Sequence, residues 1–335
     1  MVPVVDRNQI PLMPCSEKRA RKMVASKKAT PFWKRGIFCI RLNVEPSACN
    51  LQKIVVGIDP GSKKEGFTVK SKAHTLLNIQ ADAITWVKDH VETRRIMRRG
   101  RRFRKTPCRQ NRMNRSRGSL PPSTKSRWQW KLRIVNWLRK MFPVVSFVVE
   151  DIKVITKKFQ KKWNRSFSPL EVGKAWFYEK LRALGELTIK QGWDTKLLRD
   201  NLSLKKTSKK MSEVFSAHCV DSWVLANEII GGHLKPENTR LTCVIPIQLF
   251  RRQLHRMVPS KGGKRSLYGG TRSLGLKRGS LVKHPKLGLT YVGGSSNNRL
   301  SLHSLLNGSR LTKSAKLEDC RFLSYSGVRT YNVLT

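Results

Sequence analysis

Ile54-Val55-Val56-Gly57-Ile58-Asp59-Pro60-Gly61-Ser62 is the stretch from which the rest of the chain can be read. Five apolar residues in succession, too few for a helix, read as a strand buried on both faces. The run ends in an Asp-Pro-Gly-Ser turn, and Gly66 follows. Phe67–Val69 and Thr75–Ile79 read as two more strands, which makes a β-meander. Val144–Val149 is a second continuous apolar run, and it ends in Glu150-Asp151. Before it, Trp128–Phe142 reads as an amphipathic helix with Trp130, Ile134, Trp137, Leu138 and Met141 as its apolar stripe, stopped by Pro143. Residues 171–190 and 212–230 read as helices. The second carries Phe215, Val220, Val224, Leu225 and Ile229 toward a core and ends at Gly231-Gly232. Strands alternating with helices define an α/β chain.

The flanks differ. Residues 1–53 open with a strand-like Val2–Val5, pass through Pro11-Leu12-Met13-Pro14 and a basic helical stretch, Glu17–Lys28, and close on a strand-like Ile37–Leu42. From about residue 240, short apolar segments alternate with Gly, Ser and Asn turns: Leu241–Ile245, Ser280–Val282, Gly288–Val292, Arg299–Leu302 and Cys320–Tyr325. This pattern predicts a small β-rich module.

The chain is short of carboxylates, with 21 Asp and Glu against 69 Lys and Arg, a formal net charge of +48. Their positions are therefore informative. Asp59 and Glu150 each end a strongly apolar strand. Asp221 lies inside an apolar helix, and His218 is three residues earlier on the same helix face. Buried charges need a partner or a metal. Three converging carboxylates suit a pair of Mg²⁺ ions (with Mn²⁺ able to substitute) about 4 Å apart, and so suit phosphodiester hydrolysis. His218, titrating near neutrality, is expected to position or deprotonate the attacking water. Taken singly, these are an ordinary turn, strand end and helix position. Their order and contexts make the site.

The charge points to a long polyanion rather than a nucleotide. Arg94 to Arg117 holds twelve basic residues and no acid. Arg95, Arg98, Arg99 and Arg102 fall on one helix face. Gly100 weakens that helix and Pro107 is expected to end it. From His233 onward there are 19 Lys and Arg against three acids, so nucleic acid is expected there too. The seven scattered cysteines include no C-x-x-C pair, which argues against a zinc ribbon or zinc finger and fits reduced cytosolic thiols better than a disulfide framework. No apolar run approaches a membrane span and no secretory signal is evident.

Ile58-Asp59-Pro60-Gly61-Ser62, Val148-Val149-Glu150 and His218-Cys219-Val220-Asp221-Ser222 resemble the three RuvC motifs of ribonuclease H-like nucleases, although Ser222 stands where an Ala often follows the Asp. Arg94-Arg95-Ile96-Met97-Arg98-Arg99 resembles the RRxRR bridge helix. Pro11-Leu12-Met13-Pro14 matches the PLMP signature. Together, in this order, they resemble the transposon-encoded IscB and IsrB family, which is similar to the ancestors of CRISPR type II effectors. That resemblance implies a RuvC core interrupted by a bridge helix: 1–53 a PLMP domain, 54–91 the first RuvC part, 92–117 the bridge helix, 118–232 the second and third parts, and 233–335 a β-rich module contacting RNA or a target-adjacent motif. The 67 residues between Glu150 and His218 contain no histidine, so no HNH nuclease is inserted. The match is then to the IsrB side of the family, which implies nicking of the non-target strand.

The partners so implied are a long structured guide (an ωRNA) and target double-stranded DNA, with the protein a monomer in a 1:1 complex with RNA. Arg94, Arg95, Arg98, Arg99, Arg101, Arg102, Arg104, Arg109 and Arg112 would lie against the guide. Arg251, Arg252, Lys277, Arg278 and Lys283 would hold RNA or read the flanking motif. Trp163 and Trp176 are expected in core packing rather than base stacking. Two other classes fit part of the sequence. A non-catalytic structured-RNA-binding protein explains the charge but not the placed carboxylates. An RNA-independent RuvC-like resolvase explains the carboxylates but needs neither the N-terminal unit nor the arginine run.

Overall fold

The computed structural model describes residues 1–46, 49–105, 120, 122–151, 169–248 and 272–333. The chain divides into two compact units, Leu51–Thr239 and Met1–Asn50 with Arg240–Thr335. No helix among the described residues is long and apolar enough to cross a membrane.

In the second of these units, β1 (Val2–Val5), β2 (Pro11–Cys15), α1 (Glu17–Ala25), β3 (Ala29–Lys34) and β4 (Ile37–Leu42) form a four-stranded sheet in the order β2-β1-β4-β3. Val2, Val4, Ala20, Ile40 and Leu42 make its core. The Ser16 hydroxyl caps α1 by accepting from the Arg19 amide at 3.3 Å. The PLMP sequence is itself strand β2, which the alternation of two prolines had concealed.

The Leu51–Thr239 unit is built on β5 (Ile54–Asp59), β6 (Lys64–Ser71), β7 (Thr75–Asp82), α2 (Val87–Phe103), α3 (Pro122–Arg139), β8 (Val144–Asp151), α4 (Pro169–Arg182), β9 (Glu186–Gln191), α5 (Gly192–Asn201) and α6 (Phe215–Ile230). Its five strands lie in the order β7-β6-β5-β8-β9. β5, β6 and β7 pair antiparallel, and β8 and β9 extend the sheet parallel to β5. An antiparallel meander continued by two parallel strands, with helices in the crossovers, is the ribonuclease H-like arrangement the sequence predicts.

Two glycines bring α6 onto this sheet. A Cβ on Gly57 would lie 1.8 Å from the Ser222 carbonyl oxygen, and one on Gly66 would lie 2.4 Å from that of His218. Gly66 is paired with Asp59 in the ladder, and Gly57 is two residues from it, so all three face α6. Only backbone without side chains lets the helix come this close. Gly57→Ala is expected to lose roughly 1–3 kcal/mol of stability, the usual range for overpacking, and to displace Asp221 from Asp59. Thermal unfolding measured against wild type checks the loss of stability.

Three readings of this unit need correction. The helix expected over 171–190 stops at Arg182, and Glu186–Gln191 is instead a strand parallel to β8. Gly185 lies so close to the Val145 carbonyl (2.6 Å for an added Cβ) that the chain is already against the sheet there. The arginine helix starts at Val87 rather than 92 and ends at Phe103 rather than at Pro107. Lys105 turns into the left-handed region at φ 50 and closes the helix. The helix expected over 212–230 starts at Phe215, and α5 precedes it unannounced.

The C-terminal segment holds β10 (Leu241–Pro246), β11 (Arg272–Ser273), β12 (Leu276–Lys277), β13 (Ser280–His284), β14 (Gly288–Ser296), β15 (Arg299–Ser304), β16 (Arg310–Ala315), β17 (Arg321–Tyr325) and β18 (Val328–Val333). β13 to β17 form an antiparallel sheet in the order β16-β15-β14-β13-β17 around Val282, Val292, Leu300 and Leu302. β10 pairs with β18. The β-rich character expected here is observed, with β11, β12, β16 and β18 added to the predicted strands.

Candidate active site

Asp59 is the last residue of β5, and Glu150 is the penultimate residue of the parallel neighbour β8, where Ile58 pairs with Val149. The two carboxylates therefore leave adjacent strands at the same end of the sheet. Asp221 reaches them from α6, held down by the glycine contacts. Ligand oxygens of Asp59, Glu150 and Asp221 all lie within 4.8 Å of one another. Asp59 is 8% exposed and Asp221 1%.

Like charges this close repel. At separations up to 4.8 Å and an effective dielectric near 20, each ionised pair costs about 3.5 kcal/mol or more. Glu150 carries the consequence. Burial, reinforced by Asp59 and Asp221, pushes its carboxyl up to about 8. Such a cluster holds its full negative charge only when a cation shares it. Three hard oxygen donors from three rigid elements fit a divalent cation of the Mg²⁺ class.

The two oxygens of Asp221 are engaged by Arg199 Nη1 from α5, at 2.5 Å, and by Lys206 Nζ, in close contact. Burial opposes the charge on Lys206, but Asp221, Asp59 and Glu150 more than offset it and hold the ammonium above its ordinary range. Neither residue is visible in sequence reasoning. They stand 22 and 15 residues from Asp221, and no periodicity links them to it.

His218 Nδ1 lies 3.3 Å from Asp59 Oδ2, and Nε2 lies 2.9 Å from the Lys210 carbonyl oxygen. The carbonyl can only accept, so Nε2 donates to it, and Nδ1 is turned to the Asp59 carboxyl. Burial lowers the imidazole's proton affinity, but the Asp59 and Lys210 hydrogen bonds outweigh it and hold the ring above its usual range. His218 thus orients Asp59 in this arrangement. The water-deprotonating part of the expectation requires Nε2 to leave the Lys210 carbonyl.

Nearby acids that sequence reasoning did not weigh have structural partners. Asp151 faces away from Glu150 and accepts from Lys174 at 2.7 Å and Tyr178 at 3.0 Å. Glu65, fully buried on β6, pairs with Lys131 of α3 at 2.6 Å.

On α2, Arg94, Arg95, Arg98, Arg99 and Arg102, with Arg104 at its C-terminal cap, are exposed, and Arg101 is half-buried. Glu92 pairs with Arg95 at 3.5 Å. Lys277 is exposed with its ammonium 5.2 Å from the centre of the Tyr325 ring. Lys283 is exposed on β13 and Arg278 is half-buried. Trp176 is half-buried on α4. Arg109, Arg112, Arg251, Arg252 and Trp163 lie outside the described residues.

The sheet order and the carboxylate cluster define a ribonuclease H-like chain with a candidate metal-dependent site. Within it, residues 2–167 match the family model described as RRXRR protein. No curated protein matches the chain. Among solved structures, it is similar to T. thermophilus RuvC in complex with Holliday junction substrate, at 15% identity and a TM-score of 0.28, covering 54% of this chain and 97% of that one. It is also similar to the yeast mitochondrial Holliday junction resolvase Ydc2, at 13% identity and TM-score 0.27, over 54% of this chain and 78% of that one. A third is a CRISPR-Cas12f ternary complex, at 13% identity and TM-score 0.32, over 65% of this chain and 49% of that one. With TM-scores this low, the fold assignment stands on the strand order and register described above.

Proposed function

We propose that this protein is an RNA-guided DNA endonuclease of the IsrB type, which nicks the non-target strand of a guide-matched duplex. The observation that carries the reading is the convergence of Asp59, Glu150 and Asp221 within 4.8 Å in a chain of net charge +48. Asp59, Glu150 and Asp221 would hold two Mg²⁺ ions, for which Mn²⁺ could substitute. Divalent cations bound there supply Lewis acidity toward a phosphodiester. His218 keeps Asp59 oriented. Arg199 and Lys206 set the direction of Asp221 and add positive potential where a phosphate must approach three acids.

The arginine helix is the guide-binding element of this reading. Its exposed arginines grip phosphate oxygens in pairs, while base pairing supplies sequence specificity. The segment 1–53, the arginine helix Val87–Phe103 and the module 233–335 would together bind a long structured RNA, one protein per RNA. The histidine-free stretch between Glu150 and His218 supports a single cutting site, hence a nick.

RNA affinity is expected to fall roughly 10³- to 10⁵-fold between 50 and 200 mM salt, as for proteins making 6–10 phosphate contacts. Replacing Arg95, Arg98, Arg99 and Arg102 with Gln should make the log–log slope shallower by about 3, at 0.7–0.9 per phosphate lost. Filter binding across a salt series checks both, and an unchanged slope removes the helix from the RNA interface.

The reading is tested by sequencing the RNA that co-purifies with the protein and offering a duplex matched to its guide, with each strand labelled in turn. Cutting confined to the unpaired strand is expected. Cutting of branched DNA by RNA-free protein would support the resolvase class instead.

A further inference from the structure

Helix α5 lies along the carboxylate cluster. Gly192, Thr195 and Arg199 recur at i, i+3 and i+7 and share one face. That face meets the site at both ends. A Cβ on Gly192 would be 2.9 Å from Glu150 Oε1, and Arg199 Nη1 is 2.5 Å from Asp221 Oδ1. Thr195 is buried between them.

The adjoining face of α5 is open to solvent. Trp193 is 71% exposed and Leu197, one turn on, is 58% exposed. Lys196 and Asp200 are exposed beside them. The other described tryptophans are buried or half-buried. Folding does not require an indole here. It contributes little burial, and tryptophan is a weaker helix former than alanine or lysine. Its place is one Cα step, ~3.8 Å, from the glycine that touches Glu150. Positive charge is available beside it: Lys196 is exposed one turn along α5, Lys206 reaches the carboxylate cluster at Asp221, and Asp194 is turned back to cap Gln191 at 3.0 Å.

Resting on the reading of this site as DNA-cutting, we propose that Trp193 is the stacking platform for a base of the cut strand, the one flanking the scissile phosphate. Leu197 extends the apolar surface and Lys196 faces the strand's phosphates. The ligand class is single-stranded DNA, held by its π-faces without base preference. Such platforms characterise sequence-tolerant strand binding.

The test compares wild type, Trp193→Ala and Trp193→Phe in two assays. In the first, a short unpaired oligonucleotide carrying 2-aminopurine is titrated with each protein in EDTA, and stacking is read as fluorescence quenching. Wild type and the Phe variant should quench, and the Ala variant should quench less and bind about 10-fold more weakly, in the range per stacked base found by alanine substitution. Equal quenching by wild type and Trp193→Ala overturns the inference. In the second, nicking of a guide-matched duplex is followed against substrate concentration. The Ala variant should raise KM about 10-fold with kcat within about 2-fold, and Phe should restore KM. An unchanged KM also overturns the inference. Failure of wild type to nick sinks the guided-nickase reading while leaving the quenching result to decide the platform. Equal melting temperatures of the three proteins exclude a merely structural effect.

Discussion

Under the proposed function, Asp59→Ala is expected to abolish nicking, by roughly 10³-fold or more, and to leave guide-RNA affinity within about 2-fold. The size follows from position. Asp59 is at once a member of the carboxylate cluster and the acceptor for His218. Its removal takes away an oxygen donor for the cation and leaves the His218 ring without its carboxylate. Losing about 4 kcal/mol of transition-state stabilisation corresponds to about 10³ in rate, within the several kcal/mol a catalytic metal contributes. RNA binding is expected to persist because Asp59 is nearly buried at the end of β5, while the arginines of α2 project into solvent. Single-turnover cleavage and filter binding on the same preparation measure both halves. Retained nicking would remove Asp59 from the chemistry, and lost RNA binding would show that the substitution had unfolded the unit.

The largest effect on stability is expected at an ion pair beside the candidate site, one residue along β6 from the glycine that pairs with Asp59. Glu65 is fully buried on β6 and Lys131 is 5% exposed on α3, with Nζ 2.6 Å from Oε1. Burial drives the Glu65 carboxyl upward despite the lysine. Lys131→Met strands that carboxylate and should lose about 3–5 kcal/mol, about 10 °C in melting temperature for a unit of this size. The sign with pH is fixed. A carboxyl raised in the folded state removes stability as pH rises, so the variant's deficit should be greatest at neutral pH and shrink in acid. Glu65→Leu with Lys131→Leu replaces both charges with apolar groups and should return close to wild-type stability. A Lys131→Met protein that melts with wild type at pH 7 would show that the pair carries no net burden.

What could be read from the chain depended on how local the signal was. β5 and β8 are continuous apolar runs, so their ends, and with them Asp59 and Glu150, were legible. His218 and Asp221 are three residues apart on one helix, another local relation. β6 was legible only in its centre, because Lys64, Glu65 and Lys70 look like surface residues yet are buried. Their partners lie on other elements: Asp82 for Lys64, Lys131 for Glu65 and the Gly231 carbonyl for Lys70. Glu186–Gln191 was misread as helix since Glu, Leu, Lys and Gln are good helix formers, and its register against β8 overrides that preference. Arg199 and Lys206 were invisible for the same reason as the ion pairs, being long-range partners of a single carboxylate. Gly57 did carry a readable signal. A glycine inside an apolar strand marks close backbone approach, and here it marks the seat of α6.

The most direct test uses a supercoiled plasmid bearing a sequence matched to the co-purifying guide, incubated with the RNA-bound protein in Mg²⁺ or EDTA. Open-circular product is expected in Mg²⁺ only, with the break on the strand not paired to the guide. Linear product, a break on the guide-paired strand, or equal conversion in EDTA would contradict the guided-nickase reading.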